Sequence, residues 1–303
     1  MKTVQLGNLP ASNLIMGCMR LADRTEAQTE ELIHLALEGG ITLFDHADIY
    51  GKGRSEELFG AVLQKDPSLR DRLAIQSKCG IRRGFYDFSY DHIMTSVEGS
   101  LRRLHTDHLD ILLLHRPDAL AEREDFARAI QDLKVQGKVR AFGVSNMNPA
   151  QIQLLEAWSG ETMVADQLQL SLMHAGMVTA GTNVNVGNPE GTMYDGSILP
   201  YAQARDLAIQ AWSPLQYGMF GGCFVGCDRF PELNAALDAL AEEYGVTPAA
   251  IAIAWILRIP GKQQVVLGTV NPKHMKEALE AQNIMLTRQQ WYQLYRSCGY
   301  SLP

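Results

Sequence analysis

Short apolar runs alternate with stretches of helical periodicity along almost the whole chain. Eight of the apolar runs have the length and composition of buried strands. They lie at residues 12–17, 41–45, 73–78, 109–115, 139–145, 163–170, 207–213 and 264–269. After the first run, Thr25 and Gln28 have the spacing of a capping box, and Leu32, Ile33 and Ala36 form the apolar stripe of a helix. The same periodicity predicts helices at residues 55–63, 93–104, 149–158, 197–206, 248–258 and 272–282, with another ending near residue 136.

Buried strands separated by helices are typical of either an open doubly wound sheet or a closed (β/α)8 TIM barrel. An open sheet that binds a dinucleotide usually carries G-x-G-x-x-G after an early strand, and "GKGRSE" at residues 51–56 does not match that pattern. No linker rich in Pro, Gly or Ser divides the chain. We therefore predict a single-domain (β/α)8 barrel over residues 1–303. Two long connections, residues 173–196 and 216–231, interrupt the repeat and are expected to border the site.

Composition limits the partners and the compartment. The net charge is −7 and the pI about 5.6, which argues against a general affinity for nucleic acid or an anionic membrane. No apolar run approaches the ~20 residues that span a bilayer. The five cysteines have the spacing of neither a disulfide framework nor a zinc site, so a reducing, cytoplasmic setting is expected. The sequence carries no signal of an oligomeric state.

Four reactive side chains follow three neighbouring predicted strands: Asp45, Tyr50, Lys78 and His115. In a (β/α)8 barrel the chemistry belongs at these carboxyl ends. A phenol has a pKa of about 10, and a nearby ammonium lowers it, so Lys78 would tune Tyr50 while Asp45 neutralises Lys78. His115 would orient a carbonyl oxygen. The group is suited to protonating that oxygen, and because no side chain donates a hydride, a nicotinamide cofactor is implied.

Six motifs then occur in an order that resembles the aldo-keto reductase superfamily, over almost the whole chain. They are "FDHADIYG", "SKCG", "LLLHRPD", "GVSN", "WSPL" and "LGTVNPKHMKEAL". The resemblance implies a catalytic tetrad of Asp45, Tyr50, Lys78 and His115. It also implies the reduction of an aldehyde or ketone on a small-molecule substrate, with no metal.

The resemblance also implies a set of cofactor-binding residues. Ser145, Asn146 and Gln167 would bind the nicotinamide amide, and Trp212 would stack on its ring. The pyrophosphate and the adenosine end would be held by Ser213, Pro214, Leu215, Gln216, Gly218, Gly268, Thr269, Asn271 and His274.

The family often has Lys or Arg near the positions of Asn271 and His274, where it holds a 2′-phosphate, and this chain does not. Lys273 or Lys276 would have to substitute. Family precedent still favours NADPH over NADH.

Two other functions compete with a carbonyl reductase. One is a cofactor-binding sensor or accessory subunit on the same barrel, with little turnover. The other is a metal-dependent hydrolase that uses His46, Asp48 and His115. The pair His46-x-Asp48 lacks a second cluster of ligands, which disfavours the hydrolase.

Overall fold

A closed barrel of eight parallel strands forms the centre of the protein. We describe it from a computed structural model, for residues 1–183, 197–218 and 221–300. The barrel strands are β3 (Leu14–Gly17), β4 (Leu43–Asp45), β5 (Ala74–Cys79), β8 (Leu109–Leu114), β9 (Val139–Ser145), β10 (Met163–Gln169), β11 (Ala208–Trp212) and β12 (Gln263–Leu267). They pair in chain order, and β12 closes the ring against β3. All eight predicted strands and the TIM-barrel fold are confirmed.

Helices surround the barrel. In the described residues they are α1 (Glu26–Glu38), α2 (Arg54–Lys65), α3 (Tyr90–Leu104), α4 (Arg123–Val135), α5 (Pro149–Ser159), α6 (Gly176–Thr182), α7 (Ile198–Ala204), α8 (Pro231–Tyr244), α9 (Pro248–Leu257), α10 (Pro272–Leu279) and α11 (Arg288–Ser297). The capping box of α1 is confirmed: the Thr25 hydroxyl accepts from the Gln28 N–H at 3.3 Å, and the Gln28 side chain accepts from the Thr25 N–H at 3.0 Å.

A hairpin that the sequence pattern did not predict covers one end of the barrel. Its strands are β1 (Thr3–Leu6) and β2 (Leu9–Ser12), which pair antiparallel. Leu6 and Ala11 share a buried cluster with Leu43 and Ala74 at the amino-terminal part of the barrel strands. This end is therefore filled with apolar side chains, and the opposite, carboxyl end is the one left for a site.

Two further strands and two long helices were also not predicted. Strands β6 (Ile81–Arg82) and β7 (Phe85–Tyr86) form a small hairpin after β5. Helices α8 and α11 were missed because the strand–helix template leaves no place for them, although Leu233, Leu237 and Leu240 have helical spacing and are buried in α8. Each covers apolar surface that a one-helix repeat would leave exposed.

The long connections are partly different from the prediction. Helix α6 lies inside the predicted 173–196 connection, and residues 184–196 lie outside the described residues. In the second connection, residues 219–220 are also outside, and the described remainder up to α8 carries an isolated bridge from Gln216 to Cys223. Asn234 of α8 anchors this segment by donating to the carbonyls of Phe224, Cys227 and Phe230 at 2.9–3.0 Å. The extent of the domain over residues 1–303 stays a prediction.

Within the described part of the chain, no single helix has both the length and the apolar composition to cross a membrane. Helices α8 and α9 meet both criteria when they are taken together, across a bend of 92°.

Candidate active site

Three neighbouring strands bring the four predicted reactive side chains together at the carboxyl end of the barrel. Asp45 ends β4, Lys78 is next to last in β5, and His115 directly follows β8. Tyr50 begins a 3₁₀ turn after β4, and Gly51 in that turn has φ 57°. A Cβ at Gly51 would lie 2.3 Å from the Cβ of Ala22, so this tight turn requires glycine.

Lys78 is the centre of the cluster. Its side chain is fully buried, and its Nζ donates to Asp45 Oδ2 at 2.8 Å, to the His46 carbonyl at 2.7 Å and to Tyr50 Oη at 3.1 Å. Burial alone would lower the pKa of Lys78, but the charge of Asp45, with smaller contributions from Tyr50, raises it above its ordinary value. Lys78 is therefore a charged ammonium beside a phenol.

Tyr50 differs from the prediction in the direction of its pKa. Burial raises the pKa of Tyr50 above 10, and the nearby Lys78 ammonium lowers it by less than burial raises it. The fall in pKa expected from the Lys78 ammonium is outweighed by burial, which the sequence alone does not report. The phenol is therefore fully protonated at neutral pH and able to donate its proton.

His115 lies at the mouth of the cluster with its ring edge-on to Tyr50, the two ring centroids 6.0 Å apart. Burial, together with the charges of Lys78 and Arg116, holds the pKa of His115 well below its usual value. Its Nδ1 is buried and has no hydrogen-bond partner among the described residues. A neutral imidazole with a polar atom left unpaired is suited to a polar ligand.

A layer of glutamines inside the barrel binds Asp45 Oδ1, which also lies 2.7 Å from Lys78 Nζ. Gln76 and Gln167 donate to Asp45 Oδ1 at 2.7 and 3.0 Å, and both also donate to Gln210 Oε1. Gln210 donates in turn to Gln264 at 3.1 Å. Sequence reasoning missed Gln76, Gln210 and Gln264, although a glutamine within an apolar strand was a visible signal.

A cavity of about 1210 Å³ opens from this cluster and runs along the barrel rim. It is lined by Asp45, Tyr50 and His115, while Lys78 lies behind them. The predicted cofactor residues on its wall are Ser145, Asn146, Gln167, Trp212, Ser213, Pro214, Leu215, Gln216, Gly268, Thr269, Asn271 and His274. Gly218 does not line it, so a contact from Gly218 stays a prediction. The volume exceeds that of most small-ligand pockets, as a dinucleotide site requires.

Hydrogen bonds connect the four wall residues predicted to bind the nicotinamide. The indole of Trp212 donates to Asn146 Oδ1 at 3.2 Å, Asn146 Nδ2 donates to Ser145 Oγ at 2.7 Å, and that hydroxyl donates to the Gln167 carbonyl at 2.9 Å. Asn146 and Ser213 have positive φ values of 59° and 51°. Left-handed non-glycine residues are uncommon and cluster at functional sites.

The two lysines expected to supply a positive charge at the far end of the cavity are not on its wall. Lys273 and Lys276 are exposed and do not line it, and Lys273 faces Glu277 at 3.8 Å. Asn271 caps α10 by accepting from the Lys273 N–H at 3.0 Å. No sequence pattern indicated that the starts of α1 and α9 lie on this wall, because their approach depends on the closed barrel. They contribute Arg24, Gln28, Glu31, Leu32, Thr247, Pro248, Ala249 and Ile253.

The residues of the rival hydrolase site do not form a ligand set. Among the described residues, no group of three or more His, Cys, Asp or Glu side chains is placed to hold a metal ion. His46 packs edge-on against Phe59, with ring centroids 4.6 Å apart, and burial lowers the pKa of His46 to about 3. Its position is that of a packed core histidine.

Comparison with protein families decides the classification. A family model described as "Aldo/keto reductase family" matches residues 13–297. The chain belongs to the aldo/keto reductase family. The resemblance drawn from the six motifs is thereby confirmed, and this aldo/keto reductase has the barrel that the motifs implied.

Curated relatives of this aldo/keto reductase cover nearly all of it. A protein of Agrobacterium fabrum named "6-dehydroglucose reductase" is 37% identical over 95% of this chain and 94% of its own length. "Oxidoreductase YdhF" of Escherichia coli is 36% identical over 96% of this chain and 95% of its own. Among solved structures, an aldo-keto reductase from Klebsiella pneumoniae in complex with NADPH matches with a TM-score of 0.79 and 25% identity, over 100% of this chain and 96% of that one.

Proposed function

We propose that this aldo/keto reductase uses NAD(P)H to reduce an aldehyde or ketone to the alcohol, with Tyr50 as the general acid. The observation that carries the proposal is the position of Lys78 Nζ, which contacts both Asp45 and the Tyr50 hydroxyl beneath an open cavity. A fully buried lysine with all three donors used by an acid, a carbonyl and a phenol is a costly arrangement for stability alone. It has a clear use in proton transfer.

The side chains divide the work of moving one proton. Tyr50, whose pKa burial raises, holds its proton until a carbonyl oxygen develops negative charge, and then donates it. Lys78 stabilises the phenolate that results, and Asp45 keeps Lys78 charged. His115, neutral because its pKa is lowered, donates an N–H to the same carbonyl oxygen and orients it.

The residues of the cavity fit a nicotinamide dinucleotide. Such a cofactor supplies the hydride when it is bound. Asn146 and the side-chain oxygen of Gln167 would bind the carboxamide, and Trp212 would stack on the ring. The side-chain nitrogen of Gln167 is not available for this, because it donates a hydrogen bond to Asp45. A Cβ at Gly268 would lie 2.7 Å from Arg20 Nη1, so glycine at this position lets the Arg20 guanidinium pack against the backbone and donate to the Gly268 carbonyl.

NADPH is the proposed cofactor, by a modest margin over NADH. The NADPH complex of the Klebsiella neighbour supports it. Glu31 and Glu277 line the far end of the cavity, and their charges disfavour an added phosphate. The cofactor of the neighbour favours NADPH, whereas these two carboxylates disfavour the 2′-phosphate. A preference for NADPH of about tenfold is therefore expected rather than several powers of ten.

The substrate is proposed to be a hydroxylated carbonyl compound such as an oxidised sugar. A second cavity of about 460 Å³ shares Arg116, Asn146 and Trp212 with the first and adds Gln169 and His174. Gln169 Nε2 is buried without a hydrogen-bond partner among the described residues. Polar groups of this kind favour a ligand with hydroxyl groups, and the name of the Agrobacterium relative supports the same class.

The Tyr50→Phe variant tests the proposal. It removes the phenolic oxygen and keeps the ring, so NADPH affinity should change little. Carbonyl reduction, followed by loss of reduced-cofactor absorbance, should fall by about two to four powers of ten. Near-normal turnover in Tyr50→Phe would refute Tyr50 as the acid. Tight binding of NADPH by the parent with no reduction of oxidised sugars or simple aldehydes would favour the sensor or accessory subunit instead.

A further inference from the structure

The far end of the large cavity lies between two helices that are distant in the sequence. One wall comes from the start of α1, with Arg24 and Glu31, and the other from α10 and its cap, with Asn271 and Glu277. This is the end that the proposed cofactor would fill with its adenosine ribose. Any anionic group placed here meets two carboxylates, so it needs a cation close by.

The described lining residues include three arginines, and they are not equally available. Arg20 Nη1 already donates to the Gly268 carbonyl at 2.5 Å. Arg116 also lines the second cavity, beside Asn146 and Trp212, and so belongs to the nicotinamide end. Arg24 directly precedes the capped start of α1, which contacts α10, and so lies at the far end. Since Lys273 and Lys276 do not line the cavity, Arg24 is the fixed positive charge best placed for this end.

The state of the Arg24 side chain points the same way. It is half-buried, and its Nε is buried without a hydrogen-bond partner among the described residues. The backbone is held, because the Arg24 N–H donates to the Leu21 carbonyl at 2.8 Å directly before the capped start of α1. A donor that no protein group satisfies is left for water or a ligand, and the charge of the guanidinium favours an anion.

We propose that Arg24 binds the 2′-phosphate of NADPH and is the residue that distinguishes NADPH from NADH in this protein. The inference rests on the proposed function, because it requires a nicotinamide dinucleotide in the large cavity. A guanidinium is always charged and matches two phosphate oxygens at once. It thus replaces the cation that the sequence lacks at Asn271 and His274.

Four ligands measure this contact. NADPH and NADH differ by the 2′-phosphate, and 2′,5′-ADP and 5′-AMP differ by the same group without the nicotinamide. Their dissociation constants would be measured by calorimetry for the parent, Arg24→Gln and Arg24→Lys. Arg24→Gln should weaken NADPH and 2′,5′-ADP by about ten- to one-hundredfold and leave NADH and 5′-AMP within about twofold. Arg24→Lys should recover part of the loss.

Lys273→Gln is the matched control, since it removes one positive charge from the neighbouring helix α10 at a position that does not line the cavity. It should leave all four affinities unchanged. The inference is overturned if Arg24→Gln keeps the parental ratio of NADPH to NADH affinity, or if Lys273→Gln abolishes that ratio. A parent that binds neither dinucleotide would refute the proposed function itself, which separates the two failures. Unchanged melting temperatures would show that the variants are folded.

Discussion

Lys78, Asp45 and Tyr50 depend on one another at the level of single side chains. The Lys78 ammonium is buried with Asp45 as its counter-charge, and its third donor reaches the Tyr50 hydroxyl at 3.1 Å. Removing Asp45 or Tyr50 changes the electrostatic surroundings of Lys78 and so the proton affinity of the remaining groups. The losses in reaction rate caused by substituting these residues should therefore not be independent of one another.

Lys78→Met combined with Tyr50→Phe tests this dependence. Each single variant should lose about two to four powers of ten in carbonyl reduction, because each breaks the same proton transfer. The double variant should be no more than about tenfold slower than the slower single variant. The measurement is kcat in the four members of the cycle, with circular dichroism to confirm folding. Losses that multiply in the double variant would show that the two residues act separately.

The buried carboxyl of Asp166 is expected to make the stability of the protein depend on pH. The side chain is fully buried in β10, and burial raises the pKa of Asp166 to about 8, while the backbone N–H groups of Met147 and Asn146 lower that pKa by less. The folded protein thus keeps a proton that the unfolded chain releases near pH 4. Below pH 4 both states bind this proton, so Asp166 does not change the stability there. As the pH rises from 4 to 8 the free energy of unfolding falls, by at most roughly 6 kcal/mol.

Asp166→Asn should remove this loss, because an amide does not ionise. Its melting temperature should be close to that of the parent at pH 5 and higher than that of the parent at pH 8. Asp71→Asn, at an exposed position, is the control and should follow the parent at both values of pH. A parent and an Asp166→Asn variant with parallel pH profiles would contradict the prediction.

Helices α2 and α3 are in close contact at one glycine. A Cβ added at Gly60 would lie 2.0 Å from the Arg103 carbonyl oxygen, which is backbone of α3 and cannot move aside. Gly60→Ala should therefore lower the free energy of unfolding by about 1–3 kcal/mol or more, measured by urea denaturation.

Gly99→Ala is a contrasting change in α3, where the added Cβ would lie 2.9 Å from Nη1 of Arg103, a side-chain atom whose guanidinium also binds the buried Glu56. It should cost less than Gly60→Ala, because a side chain can shift where backbone cannot and helix propensity offsets up to about 1 kcal/mol. Equal effects of the two alanines would show that the helix contact is looser than the structure indicates.

At the scale of the whole molecule, the cavity joins distant parts of the chain, from the start of α1 to α10. A ligand there binds the folded state and should stabilise it globally. NADPH at one hundred times its dissociation constant adds about 2.7 kcal/mol. For a protein of this size the melting temperature should rise by roughly 5 °C, measured by differential scanning fluorimetry. Tyr50→Phe should show the same rise in melting temperature. A smaller rise would show that Tyr50 also contributes to cofactor binding.

The sequence predicted the closed barrel and its eight strands because each strand is a continuous apolar run that must be buried on both faces. It missed β1, β2, α8 and α11, since they cover the barrel without belonging to its repeat. It also brought Asp45, Tyr50, Lys78 and His115 together correctly, because parallel strands present their carboxyl ends at one rim. The gathering of these side chains thus followed from strand order alone.

Tertiary structure decided what depends on burial and on distant segments. The direction of the Tyr50 pKa required the burial of the phenol, which no local pattern reports. The contact of Asp45 with Gln76 and Gln167 required the closed ring of strands. Arg24 reaches the far end of the cavity only because α1 and α10 become neighbours when β12 pairs with β3. Periodicity is a property of neighbouring residues, whereas burial and charge depend on the whole fold, so the sequence determined the barrel and its reactive rim and the tertiary structure determined their electrostatics.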